Sequence, residues 1–270
     1  MKAMTLNTHS WFEENQEEKL RQIGERILKE DYDVIALQEV NQRLKAEITI
    51  PDERYCPADD MAIREDNFAL LLVDYLRENG ADYYWTWTFS HITYSIAEEG
   101  LAILSKQPLE GNSCLVSLYD QKESYRRRVF LTGLTEVNGQ KVLVCSGHYS
   151  WWGQYDFIPE WQNTEKFLQD NPYPLIIMGD FNNPAGTPGY SLVKDSELNL
   201  TDTFAAEDRT GSYTVDKNIL GWEDNAKKIR IDFIFVNQAL RPTKFRVIFD
   251  GENSPVVSDH YGVDSELAFV

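Results

Sequence analysis

Cysteine is scarce in this sequence. Cys56, Cys114 and Cys145 are odd in number and lack metal-ligand spacing, which argues against a disulfide framework and a thiolate zinc site and leaves buried, reduced thiols. No apolar run approaches the roughly 20 residues of a membrane-spanning helix. The opening residues Met1 to Asn7 have no apolar core of an export signal, so a cytoplasmic protein with no membrane partner is expected. Positive charge is also short: 26 Lys and Arg stand against 44 Asp and Glu, a formal net charge of −18. Such a surface repels a polyphosphate backbone at long range, so nucleic acid is not a favoured partner. Charge counts only as a tiebreaker, because acidic surfaces also serve solubility. No repeat, low-complexity tract or Gly/Ser linker divides the chain. With 270 residues and 42% hydrophobic residues spread along the whole length, one domain over residues 1–270 is expected.

The apolar pattern is that of a layered α/β protein. A short run ending at Asn7 reads as a strand, and Leu20, Ile23 and Ile27 then recur at helical spacing among charged residues. Residues 34–37 form a compact apolar run that stops at Gln38-Glu39, a strand that delivers Glu39 at its end. Residues 41 to about 66 are polar, carry Pro51 and Pro57 and read as a rim loop, after which a helical pattern runs from 68 to 76 and breaks at Asn79-Gly80. Strand-like runs follow at 83–89, 101–104, 114–118 and 129–134, and Asn138-Gly139 makes a hairpin turn into 142–145. A helical segment at 157–168 and strands at 175–178, 231–236 and 262–269 complete the chain. Strand-rich halves with helices between them predict two packed sheets flanked by helices.

Four segments place chemistry-bearing side chains beside such runs. In Ile177-Met178-Gly179-Asp180-Phe181-Asn182, the carboxylate and the amide stand two residues apart, which turns both to one side at a strand end. The carboxylate can hold or deprotonate water, and the amide can donate to a phosphoryl oxygen that gains charge in the transition state. An isolated Asp/Asn pair is more often a plain turn. Glu39 suits Mg²⁺, which takes one or two protein carboxylates and keeps waters and substrate oxygens as its other ligands; a surface-loop Glu reads the same way. His260, in Ser258-Asp259-His260, can act as an acid or clamp a phosphate if a carboxylate such as Asp232 orients it, and Asp259 can face a metal. A solvated Asp-His pair is the alternative. His148, after Ser146-Gly147 at a strand end, is placed to donate to a phosphate oxygen, and a buried His satisfied by backbone is an equal reading.

In chain order, Leu6-Asn7, Gln38-Glu39, Glu99-Gly100-Leu101-Ala102-Ile103, Ser146-Gly147-His148, Gly179-Asp180-Phe181-Asn182, Arg230-Ile231-Asp232 and Ser258-Asp259-His260 together resemble the endonuclease/exonuclease/phosphatase (deoxyribonuclease I-like) superfamily from about residue 2 to residue 269. The resemblance implies a four-layer α/β/β/α sandwich of two packed mixed sheets with outer helices. It implies Mg²⁺, with Mn²⁺ as a substitute, on Glu39 with Asn7 and Asp259 nearby. It makes Asp180 the group that orients or deprotonates the attacking water and Asn182 a phosphoryl ligand. His148, steadied by Glu99, and His260, steadied by Asp232, would flank the scissile phosphate. The implied reaction is in-line attack of water on phosphorus without a covalent intermediate. His9 departs from the pattern, since several nuclease members carry an acidic metal-proximal residue there. The run Tyr125-Arg126-Arg127-Arg128 resembles the family's phosphate-binding arginine region in an ambiguous register, with Arg127 taken as the contact; a strand edge blunted by charge is the alternative.

Rim loops, not the fold, choose the substrate. Trp151 and Trp152 follow His148 closely and could stack on a sugar ring, although large aromatics also bury well, and adjacent residues on a strand cannot both face inward. This loop, the opening Leu6-Asn7-Thr8-His9-Ser10-Trp11 and the overall length are similar to the bacterial maltose 6'-phosphate phosphatases. A phosphomonoesterase acting on a small phosphorylated sugar is therefore expected. The alternatives are a metal-dependent nuclease, which needs a basic groove, a sphingomyelinase-like phosphodiesterase, which needs an export signal, and a non-catalytic scaffold for phosphorylated ligands. The intact set of Asn7, Glu39, His148, Asp180, Asn182, Asp259 and His260 argues against the scaffold.

Overall fold

Strands covered on both faces are apolar at nearly every position, and this is how the central strands of the protein read. The computed structural model describes residues 1–216, 218–219, 221–222 and 227–270. In chain order the elements are β1 (Lys2–Asn7), α1 (Gln16–Glu30), β2 (Val34–Arg43), α2 (Phe68–Glu78), β3 (Tyr84–Thr93), β4 (Ala97–Ser105), β5 (Glu110–Leu115), β6 (Val129–Val137), β7 (Gln140–His148), α3 (Phe157–Leu168), β8 (Leu175–Asp180), α4 (Pro188–Lys194), β9 (Thr201–Asp202), β10 (Asp208–Thr210), β11 (Asp232–Val236), β12 (Leu240–Ile248) and β13 (Gly262–Phe269), with single 3₁₀ turns at Ser10–Phe12 and Thr203–Ala205. Every residue of β8 and of β11 is buried.

The strands form two mixed sheets, one in the order β10-β12-β13-β1-β2-β4-β3 and the other β5-β6-β7-β8-β11-β9. Between them lies an apolar layer that includes Ala36 and Ile103 from the first sheet and Val144, Met178 and Ile234 from the second. Helices α1 and α2 cover the outer face of the first sheet through Ile23, Ile27, Leu72 and Leu76, against Leu6, Leu37 and Trp85. Helix α3 covers the second through Phe157 and Trp161, against Phe130, Phe181 and Phe233. This is the four-layer sandwich implied by the sequence. Among the described residues no helix is long and apolar enough to cross a membrane.

Some elements differ from the sequence reading. Strand β5 lies at 110–115 rather than 114–118, because it is a sheet edge whose polar Glu110 and Asn112 face outward and hide its pattern. Strand β12 escapes notice because exposed Arg241 and half-buried Lys244 and Arg246 dilute its buried Phe245 and Val247, and Pro242 sits at a register shift against β13. Strand β2 does not stop at Glu39 but continues to Arg43 through an irregularity between Leu37 and Val40, with Glu39 at φ 53°. Such bulges re-aim a side chain, and here the one re-aimed is the carboxylate.

The register of the second sheet sets the site. His148 pairs with Asp180 across the parallel β7/β8 ladder, and Asp232 pairs with Asp180 across the antiparallel β8/β11 ladder. One rung below, Gly179 has φ +145°, and a Cβ there would lie 1.9 Å from the carbonyl oxygen of Gly147. Overpacking and positive-φ strain together should make Gly179→Ala cost about 3 kcal/mol or more. A lower midpoint in urea unfolding checks this, and a wild-type midpoint would mean that the two strands can part.

Candidate active site

All four histidines of the chain, His9, His91, His148 and His260, line one cavity of about 570 Å³. Its base is the row of strand-end residues. The Asp180 carboxylate is 1% exposed and is met by Asn7 Nδ2 at 3.2 Å and by the backbone N–H of Asn182 at 2.9 Å. Its Oδ2 lies 3.5 Å from His148 Nε2 and 3.7 Å from His260 Nε2. Asp180 and Asn182 do come together, but not through strand periodicity. Asn182 stands beyond β8 at φ 48° in a turn closed by its own N–H on Asp180, the Asx geometry that the sequence also allowed.

The histidines differ in charge because their neighbours differ. His260 Nδ1 faces both oxygens of buried Asp232, at 3.0 and 3.2 Å. Burial opposes its protonation, but the carboxylates of Asp232 and Asp180 outweigh burial and raise it well above the ordinary histidine range. His148 is driven well below that range, by burial first and then by the nearby Arg128 and His260. The expected steadying of His148 by Glu99 is a contact of 4.0 Å without a hydrogen bond. Glu99 stands between His148 and His91, which is 3.6 Å away and pairs with it across β3/β4. Burial, reinforced by Arg128 and Arg127, pushes His91 down to about 3. Burial also lifts the Asp180 carboxyl against the pull of His260, giving it the higher proton affinity that a general base needs near neutrality.

Among the described residues the cavity wall holds the carboxylates Glu39, Glu99, Glu123, Asp180 and Asp259 and a single arginine, Arg128. Burial and the charge of Glu39 raise the Glu99 carboxyl above the usual range, a sign of excess negative charge. Among the described residues Glu39 has no Lys or Arg partner; it accepts from Asn7 Nδ2 at 3.0 Å. A carboxylate without a Lys or Arg partner beside a cavity fits a divalent cation. Asn7 itself stands as a donor to Glu39 and Asp180, while its Oδ1 accepts from the His9 N–H at 3.2 Å. Ligand atoms of His9, Glu13 and Asp259, and of Asp180, Asp232 and His260, fall into two groups within 4.8 Å. In the first, the His9 ring bonds Glu13 at 2.9 Å and is raised to about 9, burial being overcome by Glu13, Glu39 and Asp259.

Two sequence expectations need correction. Arg127 turns away from the site, its guanidinium on the carbonyl oxygens of Phe89 and Ser90 and against the Phe89 ring. The next residue, Arg128, 4% exposed, enters the cavity wall instead. Its guanidinium makes no ion pair or side-chain hydrogen bond among the described residues, and its Nε is buried without a partner. A buried, unpaired guanidinium beside a cavity is a site for an anion. Trp152 is 49% exposed and packs on Phe157, outside the cavity wall, whereas Trp151 lines the cavity. Trp151 is pressed by Gly221, whose φ of +82° and lack of a side chain allow the contact; a Cβ there would lie 2.0 Å from Cζ2 of Trp151.

The profile of the Endonuclease/Exonuclease/phosphatase family matches residues 10–260. The chain belongs to that family, whose members hydrolyse phosphoesters. It is 32% identical to a solved endonuclease/exonuclease/phosphatase family protein from Leptotrichia buccalis, with 100% of each chain covered and a TM-score of 0.87. The fold is also shared with a mannosyl-6-phosphatase from Bacteroides thetaiotaomicron, at 15% identity, 100% coverage of both chains and a TM-score of 0.67. The human Nocturnin catalytic domain with bound sulfate has it too, at 19% identity, 100% of this chain, 94% of that one and a TM-score of 0.67. No curated protein matches the chain.

Arg128 contributes a buried charge without a bonded partner, so its loss should weaken anion binding more than folding. Arg128→Met is expected to melt within a few degrees of wild type while its affinity for inorganic phosphate, measured by calorimetry, falls about tenfold or more. Unchanged phosphate affinity would remove Arg128 from the site.

Proposed function

We propose that the protein is a Mg²⁺-dependent phosphomonoesterase that releases inorganic phosphate from a small sugar phosphate of the maltose 6'-phosphate kind. The observation that carries the reading is the composition of one cavity: a catalytic row of His148, Asp180, Asn182 and His260 at its base, an unpaired Arg128 in its wall and Trp151 at its rim. The volume of about 570 Å³ is that of a small-molecule site. The excess of carboxylates in the wall and the net charge of −18 disfavour a polyanionic chain, which needs basic contacts beyond the scissile group. Trp151, in the cavity wall, offers an indole face to a sugar ring.

Glu39 and Asp259 would hold Mg²⁺, with Asn7 orienting Glu39. When bound, the ion supplies charge neutralisation at a phosphoryl oxygen. Arg128 holds a second phosphoryl oxygen. Asp180, with its raised proton affinity, orients the attacking water and takes its proton. Asn182 donates an amide hydrogen as charge builds on phosphorus-bound oxygen. Protonated His260, fixed by Asp232, donates to the phosphate and passes its proton to the leaving sugar oxygen as the P–O ester bond breaks, and neutral His148 keeps one ring N–H for the phosphate.

The reading is tested with metal-stripped protein, by following phosphate release from maltose 6'-phosphate, glucose 6-phosphate, trehalose 6-phosphate and a short DNA duplex with and without Mg²⁺. Mg²⁺-dependent release that prefers a disaccharide phosphate is expected. Cleavage of DNA without sugar-phosphate turnover would move the protein to the nucleases, and silence on all four would favour the scaffold. With an active wild type, Asp180→Asn and His260→Ala should each lower kcat by roughly 10²- to 10⁴-fold with the fold kept by circular dichroism. Near-wild-type turnover in either would show that its role has been misassigned.

A further inference from the structure

Asn182 is held by its neighbours on both sides of its amide. Its Nδ2 donates to the Tyr149 carbonyl at 3.0 Å, and Asp180 Oδ2 and His148 Nε2 each lie 3.4 Å from the same nitrogen. Its Oδ1 accepts from Trp222 Nε1 at 3.1 Å. One N–H is taken by Tyr149, and the second points between two distant partners in the cavity wall, where it is weakly engaged. An indole N–H can only donate and a backbone carbonyl can only accept. Turned over, the amide would set its N–H groups against the indole N–H and its oxygen against the Tyr149 carbonyl and the Asp180 carboxylate.

Trp222 is itself anchored. It packs against Val215, Ile219 and Ile231, and Thr214 Oγ1 of the same segment accepts from the backbone N–H groups of Ile231 and Asp232 at 3.1 and 3.3 Å. The indole is thus tied to the start of the strand that carries Asp232. Its neighbour Gly221, rather than Trp222, lines the cavity among the described residues. A hydrogen bond accepted at Oδ1 also polarises an amide and strengthens its N–H as a donor.

We propose that Trp222 is a positioning residue for phosphoester hydrolysis, its indole N–H fixing the orientation of the Asn182 amide so that the weakly engaged N–H is aimed at the phosphoryl group. The proposal rests on the hydrolase reading above but not on the choice of sugar, so p-nitrophenyl phosphate serves as substrate. Losing one neutral hydrogen bond that strengthens in the transition state should lower kcat of Trp222→Phe about tenfold with KM changed less than about twofold. Trp222→His, whose Nε2 can stand near the position of the indole nitrogen, should recover most of the loss, and both variants should melt within a few degrees of wild type.

A raised KM with kcat intact would mean that Trp222 touches substrate, and equal losses in the Phe and His variants would mean that it only packs; either result overturns the proposal, as does unchanged activity in Trp222→Phe. If the wild type hydrolyses no phosphoester, the hydrolase reading fails by itself, and calorimetry with orthovanadate, which takes up the five-coordinate geometry of phosphoryl transfer when bound, decides this one. A vanadate Kd about tenfold weaker in Trp222→Phe then supports the aimed N–H, and an equal Kd overturns it.

Discussion

The carboxylate of Asp180 is 1% exposed at the place where the two sheets meet, and a charge taken so far out of water persists only if hydrogen bonds and counter-charges replace the solvent. Each replacement comes from a different part of the chain. Asn7 reaches across from β1 of the facing sheet, Asn182 from the turn after β8, His148 from the end of β7 and His260 from the segment before β13. His148 and Asn182 belong to the sheet of Asp180 itself, whereas Asn7 and His260 meet it only because the two sheets pack in this register. Beneath them, Gln38 Nε2 donates to Ser146 Oγ at 3.0 Å and Ser146 Oγ to the Leu37 carbonyl at 3.2 Å, a second polar tie between the same two sheets. The requirement that folds the sandwich and the requirement that builds the site are thus one.

The same seam separates the roles of three buried histidines. Contact with Asp232 at 3.0 Å keeps His260 protonated. His148, 4.0 Å from a Glu99 whose own carboxyl is raised, and His91, beside two arginines, are held neutral by burial. With His9, raised to about 9 by its carboxylate neighbours, one residue type thereby supplies two cations and two neutral rings around a single cavity. Asp232 and Glu99 would look alike as sequence partners of a histidine; the difference between them lies in about an ångström of separation.

That difference explains what could be read in the sequence. The apolar runs behind Asn7, Gln38, His148, Asp180 and Asp232 are continuous because their strands are buried, so both the strands and the residues at or near their ends were legible. His91 was not, because it lies within β3 and acquires meaning only when the β3/β4 ladder sets it opposite Glu99. Three consecutive arginines stand in the irregular stretch before β6, where no period says which of Arg127 and Arg128 faces in; burial against Phe89 on one side and the cavity on the other decides it. Trp222 lies forty positions from Asn182, in a loop without periodicity, and no local signal joins them. His9 was legible as a departure, but its partner Glu13 was not, since the positive φ values of His9 and Ser10 turn the chain back on itself before α1.

The rim and the base are built by different physics, which lets them vary separately. The base belongs to strand ends and the turns attached to them, positioned by a packed interior in which small displacements are costly. The rim comes from connecting segments: Phe12 from a 3₁₀ turn, Tyr94 from the β3/β4 hairpin, Tyr125 from the stretch before β6 and Trp151 from the loop after β7. Phe12 and Tyr94 meet edge to face at 5.1 Å, an aromatic pair supported by loops alone. Such loops tolerate replacement far better than a buried carboxylate does. A shared base with interchangeable rims is therefore what this architecture permits, and it is why the fold and the chemistry follow from family membership while the substrate has to be argued from Trp151, Arg128 and the charge of the wall.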